Sequence, residues 1–292
     1  MGNRSRFRTW TTRLGAITIA ASTLVVTPVS STTAAPLPEG SVEHYAGSQI
    51  AKHEGNARTA KSLPPRGAGK SLPPQVGANS RARFSEVPGM DVSSHQGDVD
   101  WHRSWGDGAR FAYVKATEGT GYKNPKFTQQ YNGSYNIGMI RGSYHFALPD
   151  RSGGAEQADF FVANGGGWSA DGKTLPGAMD MEYNPYGDTC YGLDQAQMTR
   201  WVLDFSNRMV ERTQRYPTIY TSTSWWNRCV GGTVHFGPTN PLWVAHYAEE
   251  LGALPIGWDY QTIWQWDAAG LFPGDQNLFN GDADQLLRVA LG

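Results

Sequence analysis

The chain has 292 residues and a formal net charge of −1, so one sizeable domain fits once an N-terminal stretch is set aside. The near-zero charge hides an asymmetry: residues 1–86 carry 11 Lys/Arg against 4 Asp/Glu, and residues 87–292 carry 14 against 22. An acidic main part argues against nucleic acid as a partner, because a phosphate backbone needs a basic face.

Residues 1–13 hold four arginines and no acid, 14–26 are apolar, and 30–35 are small. Basic, then apolar, then small is the layout of a secretory signal peptide, expected here over 1–35. The apolar run is shorter than the ~20 residues that span a bilayer, which weighs against a membrane anchor. No later segment is apolar enough to span, so the expected product is secreted and extracellular, with no membrane partner after signal removal. Residues 36–86 read as a pro-segment or linker, rich in Pro, Gly, Ser and Lys, with Lys61-Ser62-Leu63-Pro64-Pro65 repeated at Lys70-Ser71-Leu72-Pro73-Pro74. Such composition favours extended chain over a core. Only 42–53 has the look of a short helix.

From residue 87 onward, eight runs have strand composition: 89–93, 111–117, 139–146, 177–182, 218–222, 242–247, 262–267 and 283–289. Helical segments are expected between the early runs. Over 124–137, Phe127, Tyr131 and Tyr135 share a face, and 155–164 holds Phe160 and Phe161. Over 194–214, Met198, Trp201, Val202, Phe205 and Met209 recur at steps of three and four. Asp194 with Gln197 resembles a capping box. Strands alternating with helices argue for a parallel sheet, and eight of them for a closed barrel. The connections over 248–261 and 268–282 are too short for crossover helices. The expected fold is therefore α/β: a modified TIM-like barrel over 87–292 of five strand–helix units followed by three strands with short links. At least one late strand is expected to run antiparallel.

Parallel barrels do their chemistry at the C-terminal ends of their strands. Asp91, Asp180, Glu182 and Asp284 fall at or near such ends, Asp284 on condition that the last strand runs the other way. Asp180 and Glu182, two apart on a strand, share a face at ~6.6 Å between Cα atoms. Glycosidases work with paired carboxyls at roughly 5–9.5 Å. Asp-X-Glu alone is common, however, and equally describes two solvated acids. Splitting a glycosidic bond needs a proton delivered near neutral pH, and neighbouring negative charge keeps a carboxyl protonated. Aromatic residues complete a sugar-site composition: Tyr144, Phe146, Tyr183, Tyr220, Trp243, Tyr247, Trp264 and Trp266 lie near strand ends, with Trp243 and Trp264 expected in the core.

No HExxH, CxxC, GxxxxGK or GxSxG pattern occurs. His95 and His145 lie near strand ends, but a lone histidine is usually structural. A metal on Asp180, Glu182 and Asp284 is the weaker alternative, and neither metal nor cofactor is expected. Cys190 and Cys229, an even count in an exported chain, are expected to pair, closing a loop of roughly 40 residues worth roughly 4 kcal/mol.

Gly89-Met90-Asp91-Val92-Ser93-Ser94-His95-Gln96-Gly97, followed by Val99-Asp100-Trp101, resembles the N-terminal signature of the Chalaropsis-type lysozymes, glycoside hydrolase family 25. Tyr113-Val114-Lys115-Ala116-Thr117-Glu118-Gly119, Gly142-Ser143-Tyr144-His145-Phe146, Met179-Asp180-Met181-Glu182 and Ile263-Trp264-Gln265-Trp266 with Asp282-Ala283-Asp284 resemble its later motifs, in order. The nearest likeness is to secreted actinobacterial muramidases. The resemblance implies a five-plus-three barrel and hydrolysis of the β-1,4 bond between N-acetylmuramic acid and N-acetylglucosamine in peptidoglycan; a monomer is expected. It implies Glu182 as acid/base and Asp180 as the aid to the substrate's own 2-acetamido nucleophile, with Asp91 and Asp284 beside them. Asp282 is the rival for the last position. Tyr144, Tyr183, Tyr220, Tyr247, Gln96, Lys115 and Glu118 are expected to touch substrate. Two other readings are a chitinase-like glycosidase and a non-catalytic cell-wall-binding barrel. The residues before Asp180, Leu175-Pro176-Gly177-Ala178-Met179, lack the acids of a chitinase-like DxxDxDxE pattern, and a binding module has no need to concentrate like charges.

Overall fold

The computed structural model describes residues 1–2, 44–55 and 86–292. The chain divides into two compact units, Met1–Thr33 and Ala34–Gly292, and every described helix and strand belongs to the second. The expected signal peptide, apart from its first two residues, and most of the 36–86 segment lie outside the described residues. No described helix is long and apolar enough to cross a membrane.

The first described element is helix α1 (Ser48–Glu54), which overlaps the stretch 42–53 expected as a short helix. Strands β1 (Val87–Val92) and β2 (Phe111–Glu118) follow, then a two-residue β3 (Tyr122–Lys123) folded back on β2. Next come β4 (Ile140–Phe146), β5 (Ala178–Asp180), β6 (Thr218–Thr221), β7 (Leu242–Ala245) and β8 (Ile263–Asp267). Apart from β3, each of these pairs in parallel with the next. The last strand, β9 (Asp275–Phe279), pairs antiparallel with both β8 and β1 and closes an eight-stranded barrel. Helices α2 (Trp101–Gly106), α3 (Phe127–Asn136), α4 (Gly154–Ala163), α5 (Gln195–Thr213) and α6 (Thr223–Cys229) follow the first five barrel strands, and none separates the last three. The five-plus-three expectation holds.

Local chemistry explains the elements. In α5, Met198, Trp201, Val202, Phe205 and Met209 are all buried, as their spacing requires. Its N-terminus is a reciprocal box: Gln197 N donates to Asp194 Oδ1 at 2.7 Å, and Asp194 N donates to Gln197 Oε1 at 2.9 Å. In α3 the buried residues are Gln130 and Ser134, and of the expected Phe127–Tyr131–Tyr135 face Tyr135 is exposed, with the Arg141 guanidinium 4.7 Å from its ring centre.

One expected strand is a helix. Residues 283–289 fall in α7 (Ala283–Leu291), opened by a box between Asp282 and Gln285 and buried along Leu286 and Ala290, four apart. The true last strand is β9, inside the stretch read as a connection. Its inward side chains include Asp275 and Asn277, so the apolar alternation that signals a strand is missing.

The barrel's interior is aromatic. The Trp243 ring stacks on Tyr113 at 4.8 Å and meets Tyr220 edge-on at 4.7 Å, while its Nε1 donates to Asn277 Oδ1 at 2.7 Å. Trp243 is thus core, as expected. Cys190 and Cys229 form a disulfide with Cα atoms 5.4 Å apart, tying the β5–α5 connection to the end of α6.

Candidate active site

The seven parallel barrel strands bring their C-terminal ends to one mouth, and β9, running opposite, brings its N-terminal end there. Asp91 near the end of β1 lies in register with Asp275 at the start of β9. Asp180 ends β5. Glu182 follows two residues on, in backbone still held to β6 by Met181 N donating to Tyr220 O at 2.9 Å. All four carboxylates are buried, with exposures of 2 % or less.

Gln265 of β8 organises one side. Its Nε2 donates to Asp91 Oδ2 at 2.9 Å and to Asp275 Oδ2 at 3.1 Å, and its Oε1 accepts from Tyr220 Oη at 2.6 Å and Tyr247 Oη at 2.7 Å. Asn277 Nδ2 adds a bond to Asp91 Oδ2 at 2.7 Å. On the other side, Lys115 Nζ donates to Glu118 Oε2 at 2.6 Å, with both side chains fully buried, and Tyr186 Oη donates to Glu118 Oε1 at 2.7 Å.

These surroundings divide the acids into two kinds. Burial raises Glu182 to about 8, against the pull of the amides of Gly47, Ile50 and Gln49 and of the Lys115 charge. Burial raises Asp91 to about 7, opposed by the bonds from Asn277 and Gln265. Asp180 is held well above the ordinary carboxylate range by burial and then by the Glu182 charge, and Asp275 by burial and then by Asp91. Burial would raise Glu118 too, but the Lys115 charge and the bonds from His44, Lys115 and Tyr186 outweigh it and hold Glu118 at about 2. The mouth therefore keeps a proton at neutral pH on the Asp91–Asp180–Glu182–Asp275 cluster. Neither Asp180 oxygen has a hydrogen-bond partner among the described residues.

The expected site residues fall as follows. Asp91, Asp180 and Glu182 meet, with Tyr144, Tyr183, Tyr220, Tyr247, Lys115 and Glu118 around them. Gln96 does not join: its Oε1 accepts from Ser93 N at 2.7 Å and caps the short turn Ser94–Gln96. Asp284 does not join either. It is exposed in the first turn of α7, beyond Phe279, and Phe279 pairs with Val87 at the start of β1, the end of the barrel opposite the mouth. Its rival Asp282 caps α7, its Oδ1 accepting from Gln285 N at 2.8 Å. The fourth carboxylate is Asp275, which the reading missed together with Gln265 and Asn277 as site residues. One signal was available: between Trp264 and Trp266 on a strand, Gln265 must face away from both indoles. His145 is structural, fully buried between Thr117 Oγ1 at 2.7 Å and Gln157 Oε1 at 2.9 Å, with burial lowering it to about 4.

The mouth is covered by the chain's own residues 44–55. Gly47 N donates to Glu182 Oε1 at 2.8 Å, and Gln49 N and Ile50 N each donate to Glu182 Oε2 at 2.9 Å. Ala46 and Ile50 are buried in the barrel's main core cluster. No signal in the polar composition of 36–86 announces this.

Residues 90–275 match the family Glycosyl hydrolases family 25. The chain is 48% identical over 210 residues to the N,O-diacetylmuramidase of Chalaropsis sp, covering 70% of this chain and 100% of that protein. It is 47% identical over 214 residues to lysozyme M1 of Streptomyces globisporus, covering 72% and 73%. Among solved structures, the muramidase from Acremonium alcalophilum superimposes with a TM-score of 0.69 at 50% identity, over 70% of this chain and 99% of that one. A barrel of five strand–helix units and three strands, a mouth of buried carboxylates and these matches place the chain in glycosyl hydrolase family 25, and make it a glycoside hydrolase.

Proposed function

We propose that the chain is a lysozyme, an N-acetylmuramidase that hydrolyses the β-1,4 bond between N-acetylmuramic acid and N-acetylglucosamine in peptidoglycan, with retention and with help from the substrate's 2-acetamido group. The observation that carries this reading is Asp180: a buried carboxyl with both oxygens unpartnered, beside a Glu182 whose hold on its proton burial strengthens. Glu182 gives its proton to the glycosidic oxygen as the bond to the anomeric carbon breaks. Asp180 accepts a hydrogen bond from the acetamido N–H and turns the acetamido oxygen onto that carbon, closing a cyclic oxazolinium ion. Water, deprotonated by the Glu182 carboxylate, then opens the ring from the face the leaving group left. Asp91 and Asp275 stabilise the positive charge that develops at the anomeric centre. The tyrosines at the rim supply hydroxyls and apolar ring faces for pyranose. No cofactor has a step in this scheme.

The enzyme in this reading is secreted through its N-terminal segment, acts as a monomer, and has peptidoglycan rather than nucleic acid or membrane as its partner. Mass spectrometry of muropeptides after digestion tests the bond. Fragments ending in reducing N-acetylmuramic acid are expected, and fragments ending in reducing N-acetylglucosamine would overturn the assignment.

Asp275 and Asp284 separate the structure from the motif. Asp275→Asn should lower turnover on purified peptidoglycan ~10-fold or more, a loss of about 1.4 kcal/mol or more in transition-state stabilisation. Asp284→Asn should leave turnover unchanged. Equal losses in the two variants would contradict the placement of Asp275 in the site.

A further inference from the structure

We infer that residues 44–55 are a built-in inhibitor of this enzyme, a peptide that fills the glycan site and must leave before peptidoglycan can bind. The inference rests on the muramidase reading for what it excludes, but the contacts stand independently of it.

The segment takes the groups that the proposed mechanism needs. Glu182, the proton donor, accepts from three backbone amides, one on Oε1 and two on Oε2. Ala46 N donates to Tyr144 Oη at 3.2 Å, and Gln265 Nε2 donates to Ala46 O at 3.3 Å. Lys115 Nζ donates to His44 O, and His44 N donates to Glu118 Oε2 at 3.2 Å. At the other end the His53 ring lies flat on Tyr183, with centroids 4.4 Å apart and planes 9° from parallel, where a sugar ring would stack. Glu54 holds that end, its Oε1 accepting from Tyr183 Oη at 2.9 Å and from Ser222 Oγ. A pyranose cannot occupy the same atoms.

The fit is specific at Gly47 and incomplete at Asp180. Gly47 sits at φ +89°, and a Cβ there would run into Tyr247 Oη, with Gln265 Oε1 and Tyr220 Oη at 2.8 Å. Only glycine lets the backbone approach this closely. Both Asp180 oxygens are buried without a partner, as is Gln49 Oε1. The peptide thus satisfies Glu182 but not Asp180. A buried acceptor left unpartnered is costly, which keeps the segment displaceable by a ligand that feeds Asp180 a donor.

The relatives support the barrel as a free-standing unit: 99% of the Acremonium alcalophilum muramidase chain is matched by 70% of this one. The test compares three proteins on purified peptidoglycan: the chain from residue 36, the same chain with Gly47→Val, and the barrel from residue 86. The chain from residue 36 should be at least tenfold slower than the barrel, with the deficit in KM rather than kcat, and Gly47→Val should recover most of the barrel's rate. Hydrogen exchange on the chain from residue 36 should show the amides of Gly47, Gln49 and Ile50 protected, and Gly47→Val should release them. Equal rates for the chain from residue 36 and the barrel, or unprotected amides, would overturn the inhibitor while leaving the muramidase reading in place. Protected amides with no hydrolysis by any of the three proteins would instead overturn the muramidase reading and, with it, the inhibitory role.

Discussion

Glu182→Gln should lower peptidoglycan hydrolysis by ~10²–10⁴, the usual contribution of a general acid, while the barrel stays folded. Glutamine keeps the shape at a position with no exposure but cannot deliver a proton. The comparison is best made with Gly47→Val in both proteins, because Glu182 also anchors the covering segment through three amides. Stability, measured without the Gly47 substitution and so with the segment on Glu182, supplies a control with a definite sign. The folded-state value of Glu182 is raised from 4.5 to about 8, so the folded chain holds a proton that the unfolded chain has lost in this window. Its contribution to stability is full below about pH 4.5 and falls as pH rises to about 8. Glutamine does not titrate, so the variant's melting temperature should decline less across that window than the parent's. Loss of activity with a preserved, flatter melting profile marks a catalytic defect. Near-normal turnover by the folded variant would remove Glu182 from its role.

Asp180→Asn should lower turnover ~10²-fold yet leave measurable activity, since in this account the nucleophile belongs to the substrate. The asparagine oxygen still accepts a hydrogen bond from the acetamido N–H but no longer carries charge to strengthen it. On de-N-acetylated glycan the parent should be slow, and the further loss on Asp180→Asn should be small, because the partner of Asp180 is already gone. An unchanged penalty on the two substrates would mean that Asp180 acts on something other than the acetamido group. Above about pH 8, where Glu182 is ionised, the same substitution should raise the melting temperature, because it removes the repulsion between two buried carboxylates.

Much of this was legible in the sequence where side-chain chemistry and backbone period agree. The α5 stripe from Met198 to Met209, its Asp194–Gln197 cap and the Asp180–Glu182 pair all sit where pattern places them. Legibility failed where the barrel's interior turns polar. Strand β9 points Asp275 and Asn277 inward, so a strand that completes the site looks like a loop, and the apolar residues after it look like the strand. Asp284 was then expected at the place Asp275 occupies, since both lie close to the last apparent strand in sequence and only the antiparallel register tells which end each occupies. The covering segment was hidden for a different reason. Its strongest contacts are backbone amides on Glu182, and main-chain donors leave no mark in composition.

The measurement that bears most directly on the account is NMR of the anomeric proton in the first product formed from a soluble peptidoglycan fragment, read before mutarotation. Proton delivery by Glu182 and attack by the acetamido oxygen held by Asp180 predict the β-anomer first, with the α-anomer appearing only as the sugar equilibrates. The α-anomer as first product would mean inversion. Water would then be the direct nucleophile, and the pairing of Asp180 with the acetamido group would be wrong.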